Sequence, residues 1–163
     1  MDPCAFDIER QVRPEPYQLR FYPAFDYRQV SCTLKEFEQD HGGIPEAKAK
    51  LVERVKGSIA KEGLRNPLIV EWYTEDPRKP LRWMVTIGNN RYMALDELGF
   101  ETAPALILFP TDKAVPELSG DYEVLPFLAA LARFDATYPW WNSAAMRGFV
   151  PSLVPCAFTG VSI

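Results

Sequence analysis

The residues predict an α/β chain of the α+β kind, a small sheet flanked by helices within one domain. Three observations point there. Two short apolar, β-branched runs, Leu68 to Trp72 and Arg82 to Ile87, have the length and composition of strands. Two stretches with apolar residues at three- and four-residue steps, Pro45 to Glu62 and Arg91 to Leu98, alternate with them. The length of 163 residues is that of one ordinary domain, and 47% apolar with 25% charged residues are globular proportions.

From Pro3 to Tyr27, three prolines, Pro14, Pro16 and Pro23, fall among aromatic and charged residues, which suits short strands and turns better than a helix. Pro45 with Glu46 forms a first helical turn: a missing amide hydrogen costs nothing there, and the carboxylate faces the positive end of the dipole. Leu51, Val52, Val55 and Ile59 then make one apolar stripe. Lys48, Glu53, Lys56 and Lys61 lie largely off it, and Gly63 ends the helix. The two apolar runs that follow are joined through Tyr73 to Leu81, which predicts an antiparallel pair with a long hairpin loop. Gly88 ends the second strand, Asn89 or Asn90 caps a helix from Arg91 to Leu98, and Gly99 stops it. Ala103 to Phe109 is a further strand, placed at an edge or started late by Pro104. Val124 to Phe134 suits a short apolar helix, and Tyr138 to Ile163 has no clear period.

Eighteen Lys and Arg against 22 Asp and Glu give a net charge of -4, which excludes the broad electropositive surface of a non-specific nucleic-acid binder. No run approaches the ~20 apolar residues of a membrane span, and Met1 to Arg10 lacks a signal-peptide pattern. The expectation is a soluble cytoplasmic protein with no membrane partner. Cys4, Cys32 and Cys156 are odd in number and far apart, so free thiols are expected. His41, the single histidine, rules out a multi-histidine metal site and reads as a solvated turn residue before Gly42 and Gly43.

The unit that carries chemistry is strand, Gly88-Asn89-Asn90-Arg91-Tyr92, helix. The first amides of such a helix have no partner within it, its dipole adds partial positive charge, and a glycine lets the backbone approach a ligand. Arg91 adds a planar fork of donors suited to phosphate oxygens, and the two asparagines add neutral donors and acceptors. The simpler alternative has the asparagines only capping the helix and Arg91 pairing with a surface carboxylate.

In its wider context this unit resembles the N-terminal domain of the ParB and sulfiredoxin superfamily. Ser58-Ile59, Gly63, Pro67 to Val70, and Gly88, Arg91 and Ala94 fall in the order of that domain's motifs. Pro16-Tyr17-Gln18-Leu19-Arg20 is similar to its Pro-Tyr-Gln-Pro-Arg segment, with Leu19 in place of a proline. The match covers residues 14–109, with a longer insertion from about Phe21 to Lys48. The resemblance implies a mixed sheet flanked by helices over residues 1–110, with residues 111–163 as a C-terminal extension packing on it. It also implies a nucleoside triphosphate such as ATP or CTP, with its Mg2+, held at Gly88, Asn89, Asn90, Arg91 and Tyr92. Arg20, which matches the family's arginine, would join them or make only a surface ion pair; the Asn66 amide could donate to a phosphate or simply close a turn before Pro67. Slow nucleotide hydrolysis is a further implication. Asn89 stands where sulfiredoxins carry a reactive cysteine and ParB hydrolases a glutamate, and an amide replaces neither. No paired basic helices follow Phe109, so sequence-specific DNA binding is not expected.

Other residues read more plainly. Arg65 could reach the same anion or make a surface ion pair, and Glu62 and Glu71 could hold magnesium through water or serve only in structure. Glu75 and Asp76 decorate a turn, Trp72 and Trp83 pack on strands, and the lysines of the Pro45 to Glu62 helix form a solvated face. Two alternatives to nucleotide binding stay open. One is a protein-interaction module that binds a partner or itself through Trp140, Trp141 and the apolar end of the chain; the other is a metal-assisted nuclease.

Overall fold

The computed structural model describes residues 17–64, 66–74, 76–126 and 129–130. Five strands form one mixed sheet: β1 (Tyr17–Phe25), β2 (Leu68–Tyr73), β3 (Arg82–Ile87), β4 (Ala103–Pro110) and β5 (Glu123–Leu125), in the order β3-β2-β4-β1-β5. Only β2 and β4 run parallel; the other neighbours are antiparallel. Three α-helices accompany the sheet: α1 (Thr33–His41), α2 (Glu46–Glu62) and α3 (Asn89–Leu98). The α+β class and the mixed sheet are those expected.

Alternation along the strands sorts the core. Tyr22, Leu68, Val70, Trp83, Val85 and Ile107 point to the face that also buries Val52 and Ile59 of α2 and Tyr92, Met93 and Leu95 of α3. Leu19, Phe21, Ile69, Met84, Leu106 and Leu108 point to the other face and are also buried. β4 lies third in the sheet and is buried along Ala105 to Pro110, as expected of a strand covered on both sides.

That interior position excludes the edge alternative for Pro104 and leaves the late start. The register explains how a proline is accommodated. Pairing of β4 with β2 begins at Ala105, opposite Leu68, so Pro104 precedes that ladder. On its other side the register of β1 shifts between Tyr22 and Phe25, which spares Pro104 a ladder bond there too.

The antiparallel pair of β2 and β3 forms as expected, with Trp72 opposite Trp83. Helix α2 starts after Pro45 and stops at Gly63, and α3 stops at Gly99. Three further readings are corrected. Neither asparagine caps α3: Gly88 occupies the cap position with φ 110°, and no side chain bonds there. Residues 33–41 are helical, so His41 closes α1 instead of lying in the turn; it is exposed, as expected, and stacks on Phe37, one turn earlier, with ring centroids 4.0 Å apart. Val124 and Leu125 belong to β5, and a helical turn begins only with the bond from the Ala130 amide to the Pro126 carbonyl. Arg65, Glu75 and the region of Trp140 and Trp141 lie outside the described residues.

Gly88 and Gly57 give an opposed pair of expectations. A Cβ at Gly88 would fall 2.8 Å from Leu68 Cδ2 and 3.0 Å from Arg91 Nη2, at a positive φ that side chains rarely adopt. Gly88→Ala is expected to destabilise by about 2–4 kcal/mol. Gly57, inside α2, has open space around it, so Gly57→Ala is expected to stabilise by about 0.5–1 kcal/mol. Urea unfolding of both variants checks the signs, and a neutral Gly88→Ala would contradict this account of the turn.

Candidate functional site

The β3–α3 turn opens onto a cleft of about 590 Å³. Residues 88–91 form one side of it. The opposite side comes from α1, through Thr33, Leu34 and Phe37, and from the start and middle of α2, through Pro45, Lys48 and Val55. No Asp or Glu lines it among the described residues.

Each residue of the turn has a distinct task. The Tyr92 amide donates to the Gly88 carbonyl at 2.8 Å, the first bond of the helix ladder. Tyr92 is therefore withdrawn from the expected anion set. Its ring is buried edge-on to Tyr27, and burial pushes its hydroxyl up to about 12. The amides of residues 89–91 precede that first bond and stand at the positive end of α3.

The Asn89 side chain is a tie rather than a cap. Its Nδ2 donates to the Val85 carbonyl at 3.2 Å, while its Oδ1 accepts from the Thr33 hydroxyl at 3.2 Å and the Cys32 thiol at 3.1 Å. The start of α1 is thereby fastened to the start of α3. Asn90 is half-buried and lines the cleft without such ties.

Arg91 is 7% exposed. Its Nη1 donates to the carbonyls of Asn66 at 2.7 Å and Pro67 at 2.8 Å, and its guanidinium lies against Gly88. The residue still contributes to the cleft wall, so its charge sits beside the turn while this donor holds the entry of β2. Asn66, also buried, meets the turn through its backbone carbonyl.

Arg20 is not brought to the cleft. Its strand β1 is separated from β3 by β2 and β4, about 14 Å of sheet. There its guanidinium lies 3.6 Å from the Phe109 ring centre and 4.5 Å from that of Tyr122, and it bonds Gln18 and Glu117. It serves to hold the segment after β4 onto the sheet. Glu71 is equally distant in role: it is buried on the opposite face of the sheet, where the Thr86 hydroxyl donates to it. The described residues contain no cluster of three or more His, Cys, Asp or Glu able to hold a metal. None of their helices is long and apolar enough to cross a membrane.

The wall built by α1 and Lys48 was not singled out from the sequence. A signal existed: Thr33 and Glu36 have helix-start spacing, Leu34 and Phe37 share a face, and Gly42 follows as a stop. Comparison of the chain with protein-family models, curated proteins and solved structures finds no match in any of the three. The case for a function therefore rests on geometry.

Burial pushes the Cys32 thiol up from its ordinary value of 9.0 to about 11. Between those values the unfolded chain binds fewer protons than the folded one, so stability present below about pH 9 is lost as pH rises. The full loss is on the order of 2–3 kcal/mol. Cys32→Ser is expected to lose less stability than the parent between about pH 8 and about pH 10.5 in urea titrations. Equal losses would show that this thiol is not the titrating group.

Proposed function

We propose that the cleft binds the polyphosphate of a nucleoside triphosphate. The observation that carries this reading is the charge of the lining. In a chain of net charge -4, the cleft gathers the positive end of α3, Lys48 and Arg91 with no carboxylate among its described residues. Thr33 and Asn90 add neutral hydrogen-bonding groups at the same mouth. The resemblance of Gly88 to Ala94 to the turn of the ParB and sulfiredoxin superfamily supports the same ligand class.

The chemistry proposed is binding. The described lining does not fit a protein-held magnesium ion, because it offers no carboxylate, so magnesium enters only as the counter-ion that the phosphates themselves carry. The same lining supplies no carboxylate or imidazole to take a proton from water, and hydrolysis is left out of the proposal. Within the cleft the amides of residues 89–91 would donate to phosphate oxygens. Arg91 would act by its field and Asn66 by holding Arg91 in place.

The discriminating variant is Asn90→Asp. Arg91→Ala would also strip a donor from two buried carbonyls and confuse binding with folding. A carboxylate at position 90 sits in the first turn of α3, where it is expected to leave stability unchanged or raise it by about 0.3–1 kcal/mol. The same charge is expected to weaken nucleotide binding at least about tenfold, since even partial screening leaves more than the required repulsion. Calorimetry with ATP, CTP and GTP in magnesium, paired with thermal unfolding, measures both signs. A wild-type protein that binds none of the three, or an Asn90→Asp variant that binds as well as wild type, would overturn the reading.

A further inference from the structure

The side of the cleft facing the α3 turn has its own chemistry. Leu34 and Phe37 stand three residues apart on α1 and so share one face of that helix, and Val55 of α2 lines the same space. His41 stacks on the Phe37 ring, with the two planes 16° apart, yet Phe37 remains 39% exposed. Lys48 is a charged point on this side, which is apolar apart from Thr33. Nearby lysines of α2 are neutralised, Lys50 by Glu46 and Lys56 by Glu53 and Glu97. Lys48 makes no ion pair or side-chain hydrogen bond among the described residues.

A phosphate chain alone would not call for such a wall. A cleft of about 590 Å³ falls in the range that encloses whole small molecules, which is roughly 300–1,000 Å³. Its apolar side chains, Leu34, Phe37 and Val55, come from α1 and α2, whereas the helix-end amides come from the α3 turn across from them, so a ligand that spans the two needs an anionic end and a flat apolar end.

We propose that the apolar side is a base-binding wall, with the nucleobase seated against Phe37, Leu34 and Val55, and that Lys48 closes on the phosphates from across the cleft. This rests on the polyphosphate reading and adds the nucleoside to it. Phe37 and Lys48 become specificity-determining contacts, both carried by α1 and the first turn of α2. The base contact is sequence-tolerant in kind, because every base offers a π-face to an aromatic ring.

The test compares ATP and CTP with inorganic tripolyphosphate, by calorimetry on the full chain. Wild type is expected to bind either nucleotide at least about tenfold more tightly than tripolyphosphate. Phe37→Ala is expected to remove that preference, weakening the nucleotides by about tenfold while leaving tripolyphosphate unchanged. Phe37→Trp is expected to restore it, which separates a stacking role from a fold defect. Lys48→Gln is expected to weaken nucleotides and tripolyphosphate alike, with a smaller dependence on salt than wild type. If tripolyphosphate binds as well as ATP and CTP, and Phe37→Ala changes neither, the base wall is overturned while the polyphosphate reading stands. If Lys48→Gln leaves all three affinities intact, the closing contact is overturned. Failure of wild type to bind any of the three ligands overturns both readings together.

Discussion

The entry of β2 and the turn after β3 are held together by one buried cation. Asn66 and Pro67 present carbonyls at the entry of β2, just before Leu68 pairs with Ala105 of β4. Buried carbonyls need donors, and Arg91 supplies both bonds through one nitrogen. The arrangement requires the guanidinium to pass close under the turn. Gly88 leaves that room, since any Cβ there would meet Arg91 Nη2 at 3.0 Å and Leu68 Cδ2 at 2.8 Å. The spacing of Gly88 and Arg91 is thus a packing requirement before it is a binding motif.

This constraint produces the site as a consequence. With glycine at the cap position, no side chain reaches back to the first amides of α3, and the nearest asparagine is drawn aside to Val85, Thr33 and Cys32. The positive helix end therefore faces the cleft. The opposite wall is held by weaker means. Helix α1 buries none of its residues. It is fixed by the Asn89 tie, by Lys35 to Asp96 at 2.9 Å and by the forked pair of Arg82 with Glu36. Both ion pairs are partly exposed, so each contributes little free energy and that little is sensitive to salt. The turn and the α2 part of the facing wall are anchored in the core, whereas α1 reaches the core mainly through the partly buried Leu34 and is otherwise fastened at the surface.

The legible parts of the sequence were those where local chemistry and tertiary packing agree. β2, β3, α2 and the stop at Gly99 announced themselves through apolar runs and glycines, and the cleft opens at the turn the motif marked. Pro104 allowed two readings of β4, an edge or a late start, and only the register, a property of two segments, decides for the late start. Helix α1 is harder to read because its apolar face is short: Leu34 and Phe37 share it, and only Leu34 packs against the core, partly buried. Arg20 and Arg91 show the limit for site residues. Spacing gives the residue type but not the direction of a long side chain, and both arginines turn toward partners distant in sequence, Glu117 for one and Asn66 with Pro67 for the other.

An arginine committed to carbonyls still acts on an anion nearby. Donating to neutral oxygens leaves the charge of Arg91 in place, and burial keeps solvent from screening it as it would at the surface. At an effective dielectric of 20, a unit charge about 6 Å away is worth about 3 kcal/mol of Coulomb energy. That is comparable to a direct charged hydrogen bond, and it arrives without the entropy of ordering a flexible side chain when the ligand binds. Lys48 represents the other solution: exposed, mobile about its long stem and unpaired, it can follow a ligand but must be ordered to do so. For the proposed polyphosphate, a fixed cation behind the turn and an adaptable one across from it would divide recognition into a preorganised field and a contact made on binding. This division explains why the residue that best fits a phosphate-binding motif in the sequence holds the site's frame in the fold.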